Sequence, residues 1–233
     1  MNRPSHYLIT GASRGIGRET AIELSKMGHK LTLTARNRQA LEETRSKCES
    51  DCFVMDADLT KPDGLRHIIH HIKHRQLALD GLVHNAGLLI NKPFVELTDQ
   101  DWQNQFSVNL MAPARLTRDL LPFLADPSHI VMIGSMGGYQ GSAKFPGLSA
   151  YSATKSGVSI LAECLANELA PLGIHVNSLC LGAVQTNMLE QAFPGFEAPV
   201  SAPDMGRYIA GFLTEGDRFY NGRVLPVALA DPD

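Results

Sequence analysis

"TGASRGIG", Thr10 to Gly17, lies between a run that reads as a strand, "HYLIT" (6–10), and a pattern that reads as a helix from about residue 15. Glycines at 11, 15 and 17 permit a tight turn and a close approach of backbone to ligand. The helix that follows presents unpaired N–H groups and the positive end of its dipole to the turn, an arrangement suited to a pyrophosphate. A glycine-rich turn is common. At the first strand-to-helix junction it marks the place where an open parallel sheet binds a dinucleotide, so Gly11, Ser13, Arg14, Gly15, Ile16 and Gly17 are candidate cofactor contacts.

Outward from that turn the chain keeps one rhythm. "KLTLTA" (30–35), "FVMDA" (53–57), "GLVHNA" (81–86), "HIVMIGS" (129–135), "IHVNSLCL" (174–181) and "GRVLPVAL" (222–229) join "HYLIT" as predicted strands. Helical patterns fall between them near 15–27, 38–48, 63–76, 99–121, 151–170 and 203–214. This alternation builds βαβ units. No repeat or linker interrupts it, so residues 1–233 read as a single α/β domain. The expected fold is a Rossmann-type doubly wound parallel sheet of about seven strands with helices on both faces.

Composition narrows the function classes. The chain is 44% hydrophobic and 19% charged, as ordinary globular proteins are. A net charge of -3 gives no general pull toward nucleic acid or an anionic membrane. The N-terminal "MNRPSHYLIT" has no apolar run fit for a signal peptide, and no later run approaches a membrane span. Cys48, Cys52, Cys164 and Cys180 lack paired metal spacing and suit a reducing cytoplasm, the expected location. In "GLRHIIHHIKHRQ", Leu65, Ile68, Ile69 and Ile72 share one face, while His67, His70, His71 and His74 fall mostly on the other. No carboxylate or Cys joins those histidines within the segment, so they read as a solvated face, and no metal is expected. Pro113, inside the 99–121 helix, should remove a backbone hydrogen bond and bend the helix one turn from Asn109.

The end of the second strand selects the cofactor. An NAD site usually places Asp or Glu there for the ribose 2′-hydroxyl. Here "LTLTARN" offers neutral Thr34 and Ala35 and then Arg36, while Arg14 sits in the glycine turn. Two guanidiniums converging on one pocket suit a 2′-phosphate, which favours NADP(H) over NAD(H).

"AYSATKSG" (150–157) places Tyr151 four residues before Lys155, on one helix face. A free tyrosine has a pKa near 10, and a cation within about 4–6 Å favours the phenolate. The pair therefore reads as a phenol made more acidic by its neighbour, fit for general acid–base work. Four further pieces precede it in order: "DAD" at 56–58, "HNAG" at 84–87, Asn109, and Ser135 in "IGSMGG". In this combination the sequence resembles the short-chain dehydrogenase/reductase family in its common cytosolic form, from about Tyr7 to Val227. The resemblance implies a carbonyl or alcohol oxidoreductase. Asp58 would bond the adenine amino group with Leu59 beside it, and Asn85, Ala86 and Gly87 would wall the cofactor groove. Ser135 would hold the substrate carbonyl and Tyr151 exchange its proton. Lys155 would bond the nicotinamide ribose, and Asn109 would fix a water completing a relay to solvent. Gly182, Val184 and Thr186 would flank the carboxamide.

Three departures from the family pattern shape the expectations. "CLGAVQT" has Leu181 where the family commonly has Pro, which frees φ and loosens the loop beside the nicotinamide. Sixteen positions separate Ser135 from Tyr151, more than the family usually has, and the excess lies in "MGGYQGSAKFPGL". Such a loop changes substrate shape selection, and its Ser142 is a second candidate hydroxyl. The tail "GRVLPVALADPD" lacks the usual Asp-Gly-Gly, which favours a homodimer over a homotetramer. A short lid at 188–200 carrying Phe193 and Phe196 implies an open site for a small or extended carbonyl or alcohol. Two alternatives remain open. One is a 3-oxoacyl-thioester (acyl carrier protein) reductase, for which the sequence has no basic cluster at the mouth, though Lys92 and Lys144 could contribute to holding the carrier's phosphopantetheine. The other is a non-catalytic NADP(H) sensor.

Overall fold

The computed structural model describes residues 4–229, so the last four residues of the tail, on which part of the oligomer expectation rests, lie outside the described residues. Strands β1 (His6–Thr10), β2 (Lys30–Ala35), β3 (Cys52–Asp56), β4 (Leu79–His84), β5 (Leu124–Ser135) and β6 (Ile174–Leu181) appear where the sequence predicts them. Two short strands not predicted, β7 (Val184–Gln185) and β8 (Val200–Ser201), pair with each other, and β9 (Val224–Val227) closes the main sheet. The seven-stranded sheet runs β3-β2-β1-β4-β5-β6-β9, and its pairings are parallel.

Successive side chains of a strand point to opposite faces, and both faces here are apolar. Leu8, Leu82, Ile130 and Met132 belong to one core, with Leu65, Ile68 and Ile72 of α3 (Pro62–His74). Leu116 and Leu120 of α5 (Ala112–Leu120) and Val158, Ala162 and Ala166 of α6 (Ser149–Leu169) complete it. Their neighbours Ile9, Val83 and Val131 face the other core, with Ala21 and Leu24 of α1 (Gly15–Lys26) and Leu41 of α2 (Arg38–Arg45). Ile209 and Leu213 of α8 (Ala202–Glu215) close that side. Each fully buried Leu or Ile contributes about 1.5–3 kcal/mol, so the doubly covered sheet carries most of the stability. On α3 the predicted apolar face is buried, His67, His70 and His74 are exposed, and His71 stacks edge-on to Phe53 at 5.5 Å. Among the described residues no three His, Cys, Asp or Glu side chains gather as a metal site, and no helix is long and apolar enough to cross a membrane.

The predicted 99–121 helix is in fact three pieces. α4 (Asp99–Phe106) opens with a capping box between Thr98 and Asp101. A π turn over Ser107–Met111 follows, and then α5, with Pro113 in its first turn. Pro113 has no N–H to give the Asn109 carbonyl four residues back. The irregularity thus falls on Asn109 itself, not one turn away. A π turn re-aims side chains where a regular helix would not.

His84 and His129 are among the buried histidines of this core. His84 Nε2 is 2.8 Å from Thr117 Oγ1. His129 Nδ1 donates to the Leu213 carbonyl at 3.0 Å, while its Nε2 accepts from Asn177 Nδ2 at 3.0 Å. Burial pulls each ring from 6.5 down to about 4. Unfolded histidines bind protons from about pH 6.5, whereas these do so only near 4, so the stability present above 6.5 is lost as pH falls through that window. Linkage makes the loss about 3 kcal/mol per ring. Denaturant titrations at pH 7 and pH 4.5 should show it as a lower midpoint in acid, and a midpoint that does not move would rule out the neutral buried rings.

Candidate active site

A cleft of about 1980 Å³ runs along the carboxyl ends of the strands. It opens where β1 and β4 diverge, the switch point of a doubly wound sheet. Thr10 and Asn85 fasten that point. The Thr10 hydroxyl donates to the Val83 carbonyl at 3.3 Å and accepts from the Asn85 and Ala86 N–H groups at 3.0 Å each. Asn85 Nδ2 in turn donates to the Thr10 carbonyl at 3.0 Å and the Gly11 carbonyl at 3.3 Å.

The glycine turn divides its labour. Gly15 has φ +55°, which favours glycine, and lines the cleft, where a Cβ would stand 3.5 Å from the Thr186 methyl, so backbone can approach a ligand there. Gly17 stands behind the turn and does not line the cleft; a Cβ on it would fall within 2.6 Å of the Gly11 carbonyl and closer still to Asn85 Nδ2. Its observed place is helix-to-strand packing behind the turn. The N-terminus of α1 has no side-chain cap and no acidic residue in its first turn. Its free N–H groups therefore face the cleft as an anion site, and a dinucleotide phosphate fits them. Arg14 and Arg36 line the same cleft, and among the described residues neither is in an ion pair. Their neighbours differ: Arg18 donates to the Ser13 carbonyl, and Arg38 is paired with Asp56 at 2.9 Å. Asp58 also lines the cleft, one carboxylate oxygen accepting both Thr60 bonds.

Ser135, Tyr151 and Lys155 meet at the other end. Ser135 ends β5 and lines the cleft, its hydroxyl near enough to the Tyr151 phenol to pull that group's pKa down. Lys155 is 3% exposed; its Nζ donates to the Ile133 carbonyl at 2.7 Å and lies 5.8 Å from the Tyr151 ring centre. The expected acidified phenol is not what the structure holds. Burial pushes Tyr151 up to about 12, against the pull of the Ser135 hydroxyl, and burial pulls Lys155 down to about 8. Both charges are penalised by dry surroundings, and the ammonium is turned toward a carbonyl rather than the phenol.

Asn109 lies behind the cleft wall, 1% exposed. Its Oδ1 accepts from Leu88 N at 2.8 Å, and Nδ2 donates to the Leu88 carbonyl at 2.9 Å and Thr154 Oγ1 at 3.0 Å. Thr154 then donates to the Tyr151 carbonyl at 2.8 Å. Both amide protons are thus occupied, and a water fixed here has only oxygen acceptors of Asn109 to bind. Gln105, one turn earlier, holds Ile90 N at 3.1 Å. Thr154 and Gln105 carry no motif of their own; the i, i+4 spacing of Gln105 and Asn109 is the signal the sequence offers for the latter pair. The remaining candidates, including Leu59, Ala86, Gly87, Gly182, Val184 and Thr186, all line the cleft.

The three departures from the family pattern have structural answers. Leu181 does not loosen its turn: it pairs in register with Ser135 and Val227, and Gly182 N donates to the Val227 carbonyl at 2.9 Å. Ser142 lies outside the cleft, its hydroxyl bonded to the carbonyls of Met136 and Tyr139, which leaves Ser135 as the hydroxyl at the site. Lys144 Nζ sits on the Tyr139 carbonyl at 2.5 Å and on Ser142 Oγ at 2.8 Å. The lid forms α7 (Asn187–Ala192), capped by Thr186, and it brings Phe193 and Phe196 to the cleft with Phe145 and Leu148 opposite.

The family model for the short chain dehydrogenases matches residues 5–195. The chain is a short-chain dehydrogenase/reductase. An uncharacterized oxidoreductase of Escherichia coli K12, YciK, is 33% identical over 80% of this chain and 76% of its own. A 3-oxoacyl-[acyl-carrier-protein] reductase of Buchnera aphidicola is 30% identical over 78% of this chain and 74% of its own. A dehydrogenase/reductase structure from Sinorhizobium meliloti superposes with a TM-score of 0.84 at 26% identity, covering 96% of this chain and 93% of that one. The short-chain dehydrogenase/reductase is accordingly an oxidoreductase that works with a nicotinamide cofactor.

Close packing behind the turn gives a direct test. Gly17→Ala should cost about 1–3 kcal/mol, since the new methyl meets backbone that cannot swing aside. Thermal denaturation reads this, and an unchanged midpoint would show that the junction tolerates a Cβ.

Proposed function

We propose that this short-chain dehydrogenase/reductase is an NADP(H)-dependent carbonyl reductase, reversible toward the alcohol, with Tyr151 as its general acid and base. The observation that carries the reading is the convergence of Ser135 and Tyr151 on one end of the cleft, with buried Lys155 one helical turn along from the phenol. When bound, the nicotinamide supplies or accepts the hydride. Gly11, Ser13, Gly15 and Ile16 would hold its pyrophosphate, Asp58 and Leu59 its adenine, and Val184 and Thr186 its carboxamide. The Ser135 hydroxyl donates to the substrate oxygen and orients it. Tyr151, protonated throughout the neutral range, gives its proton to that oxygen in reduction. In the reverse direction the phenol must first lose that proton, which a cationic Lys155 close by assists.

Two guanidiniums outside any ion pair among the described residues support the choice of NADP(H): Arg14 and Arg36 flank the adenosine end with no acid at the close of β2, and the Asp58 carboxylate feels the charge of Arg36. The apolar far end, with Phe145, Leu148, Phe193 and Phe196, supports a small uncharged carbonyl substrate. A carrier-bound thioester finds less there. Lys92 is paired with Asp101 at 2.8 Å and holds that carboxyl down to about 2, and Lys144 is tied within its own loop. The sensor reading loses one of its two motives, because the Leu181 turn is in register, and keeps the altered tail as the other. A homo-oligomer, dimer or tetramer, in the cytoplasm belongs to the same proposal. Exposed Tyr208 and Phe219, at 44% and 73%, and four free cysteines support it.

Tyr151→Phe should lower kcat for carbonyl reduction by roughly 10²–10⁴-fold while NADPH still binds. Turnover that persists at the parent rate would remove Tyr151 from the proton transfer. Arg36→Ala should weaken NADPH by about 2 kcal/mol, roughly thirty-fold, and leave NADH nearly unaffected. Fluorescence titration of both cofactors makes the comparison, and equal losses would reject the 2′-phosphate contact.

A further inference from the structure

Cys48 and Cys52 take no part in the chemistry above, yet the fold brings them together. Cys48 follows the last turn of α2, where its N–H is bonded to the Arg45 carbonyl at 3.0 Å and its Sγ to the Thr44 carbonyl at 3.4 Å. Cys52 opens β3 opposite Leu31 of β2. The connecting loop is tied down from outside. Glu49 N donates to Ser25 Oγ at 3.0 Å, Ser50 Oγ bonds to the His29 carbonyl, and Asp51 O accepts from Leu31 N at 2.9 Å. Both sulfurs pack against the same core cluster under α1 and α2, from the two ends of a three-residue loop. Both residues are half-buried, so small reagents reach them; Cys180 is buried, and Cys164 is exposed without a partner cysteine among the described residues.

We propose that Cys48 and Cys52 form a reversible redox site, a vicinal dithiol that a hydroperoxide converts to an intramolecular disulfide. The two sulfurs divide the work. The neighbouring Cys52 thiol holds Cys48 below its usual value, with help from Ser25, while Cys48 and burial push Cys52 up. Cys48 is therefore the attacking sulfur. Its thiolate attacks one peroxide oxygen, the O–O bond breaks, hydroxide leaves, and Cys48 becomes a sulfenic acid. The Cys52 sulfur then attacks that of Cys48, the S–S bond forms, the S–O bond breaks, and the oxygen leaves as water with the Cys52 proton. For hydrogen peroxide, two thiols are oxidised by two electrons and one peroxide is reduced to two waters. The loop spans only the chain from 48 to 52, and its anchors at Ser25, His29 and Leu31 keep the sulfurs in reach without unfolding a helix or strand.

The test uses full-length, fully reduced protein carrying Cys164→Ser, which removes the exposed competing thiol. An equivalent of hydrogen peroxide should convert most of it to a species two hydrogens lighter. The link should map within the single tryptic peptide that begins after Lys47, and dithiothreitol should restore the parent mass. With Cys52→Ser added, oxidation should stop at Cys48 as a sulfenic acid that dimedone traps, provided circular dichroism shows the parent fold. Free thiols at both positions after peroxide, links only between molecules, or dimedone on Cys52 rather than Cys48 in the Cys164→Ser protein would each overturn the proposal.

Discussion

The site depends on the fastening between Thr10 and Asn85. β1 and β4 are neighbours at the centre of the sheet, but the chain leaves them in different directions, one into the glycine turn and one toward Leu88. Four hydrogen bonds among Thr10, Gly11, Asn85 and Ala86 hold these departing ends together. Because Asn85 Nδ2 reaches the Gly11 carbonyl, no side chain can occupy the space that Gly17 leaves. The first helix therefore seats close against the sheet, and its uncapped N-terminus points into the cleft. Moving any of these groups would displace the phosphate end and the β4 wall together.

At the reactive end dehydration outweighs every other influence on charge. Placing a lysine 3% exposed beneath a partly buried tyrosine raises the cost of either charge, which is why the phenol is less acidic and the ammonium more acidic than in water. The Asn109–Thr154–Tyr151 chain of hydrogen bonds fixes the backbone from which the phenol projects, and Leu88 ties the same asparagine to the β4 loop. Asn109 thus braces two walls of the cleft with its side chain, while the π turn and Pro113 disturb the hydrogen bonding of its own backbone.

Much of this is legible in the sequence for identifiable reasons. A parallel sheet covered on both faces gives continuous apolar strands, and their alternation with amphipathic helices leaves few readings; all seven main strands show in the pattern. The motif residues are legible because phosphate and proton chemistry restrict which residue types can serve. What the pattern hides depends on contacts between distant segments. The Thr154 bridge needs Asn109 forty-five positions away, and the β7–β8 pair has two residues per strand, too few for any periodicity. Spacing alone misjudges the phenol's acidity, because it reveals a neighbouring charge but not the water excluded around it.

Specificity lies where the sequence departs from its family. The Ser135–Tyr151 loop is not slack: Ser142 and Lys144 fold it onto its own carbonyls, and Gly147 O accepts from Lys92 N at 3.1 Å. The adjoining Asn91 donates to the Ala192 carbonyl at 2.9 Å, so one segment after β4 touches both the inserted loop and the lid. With its lysines turned inward and paired, this mouth presents Phe145, Phe193 and Phe196 rather than charge. Such a mouth offers burial to apolar surface and little to an anion.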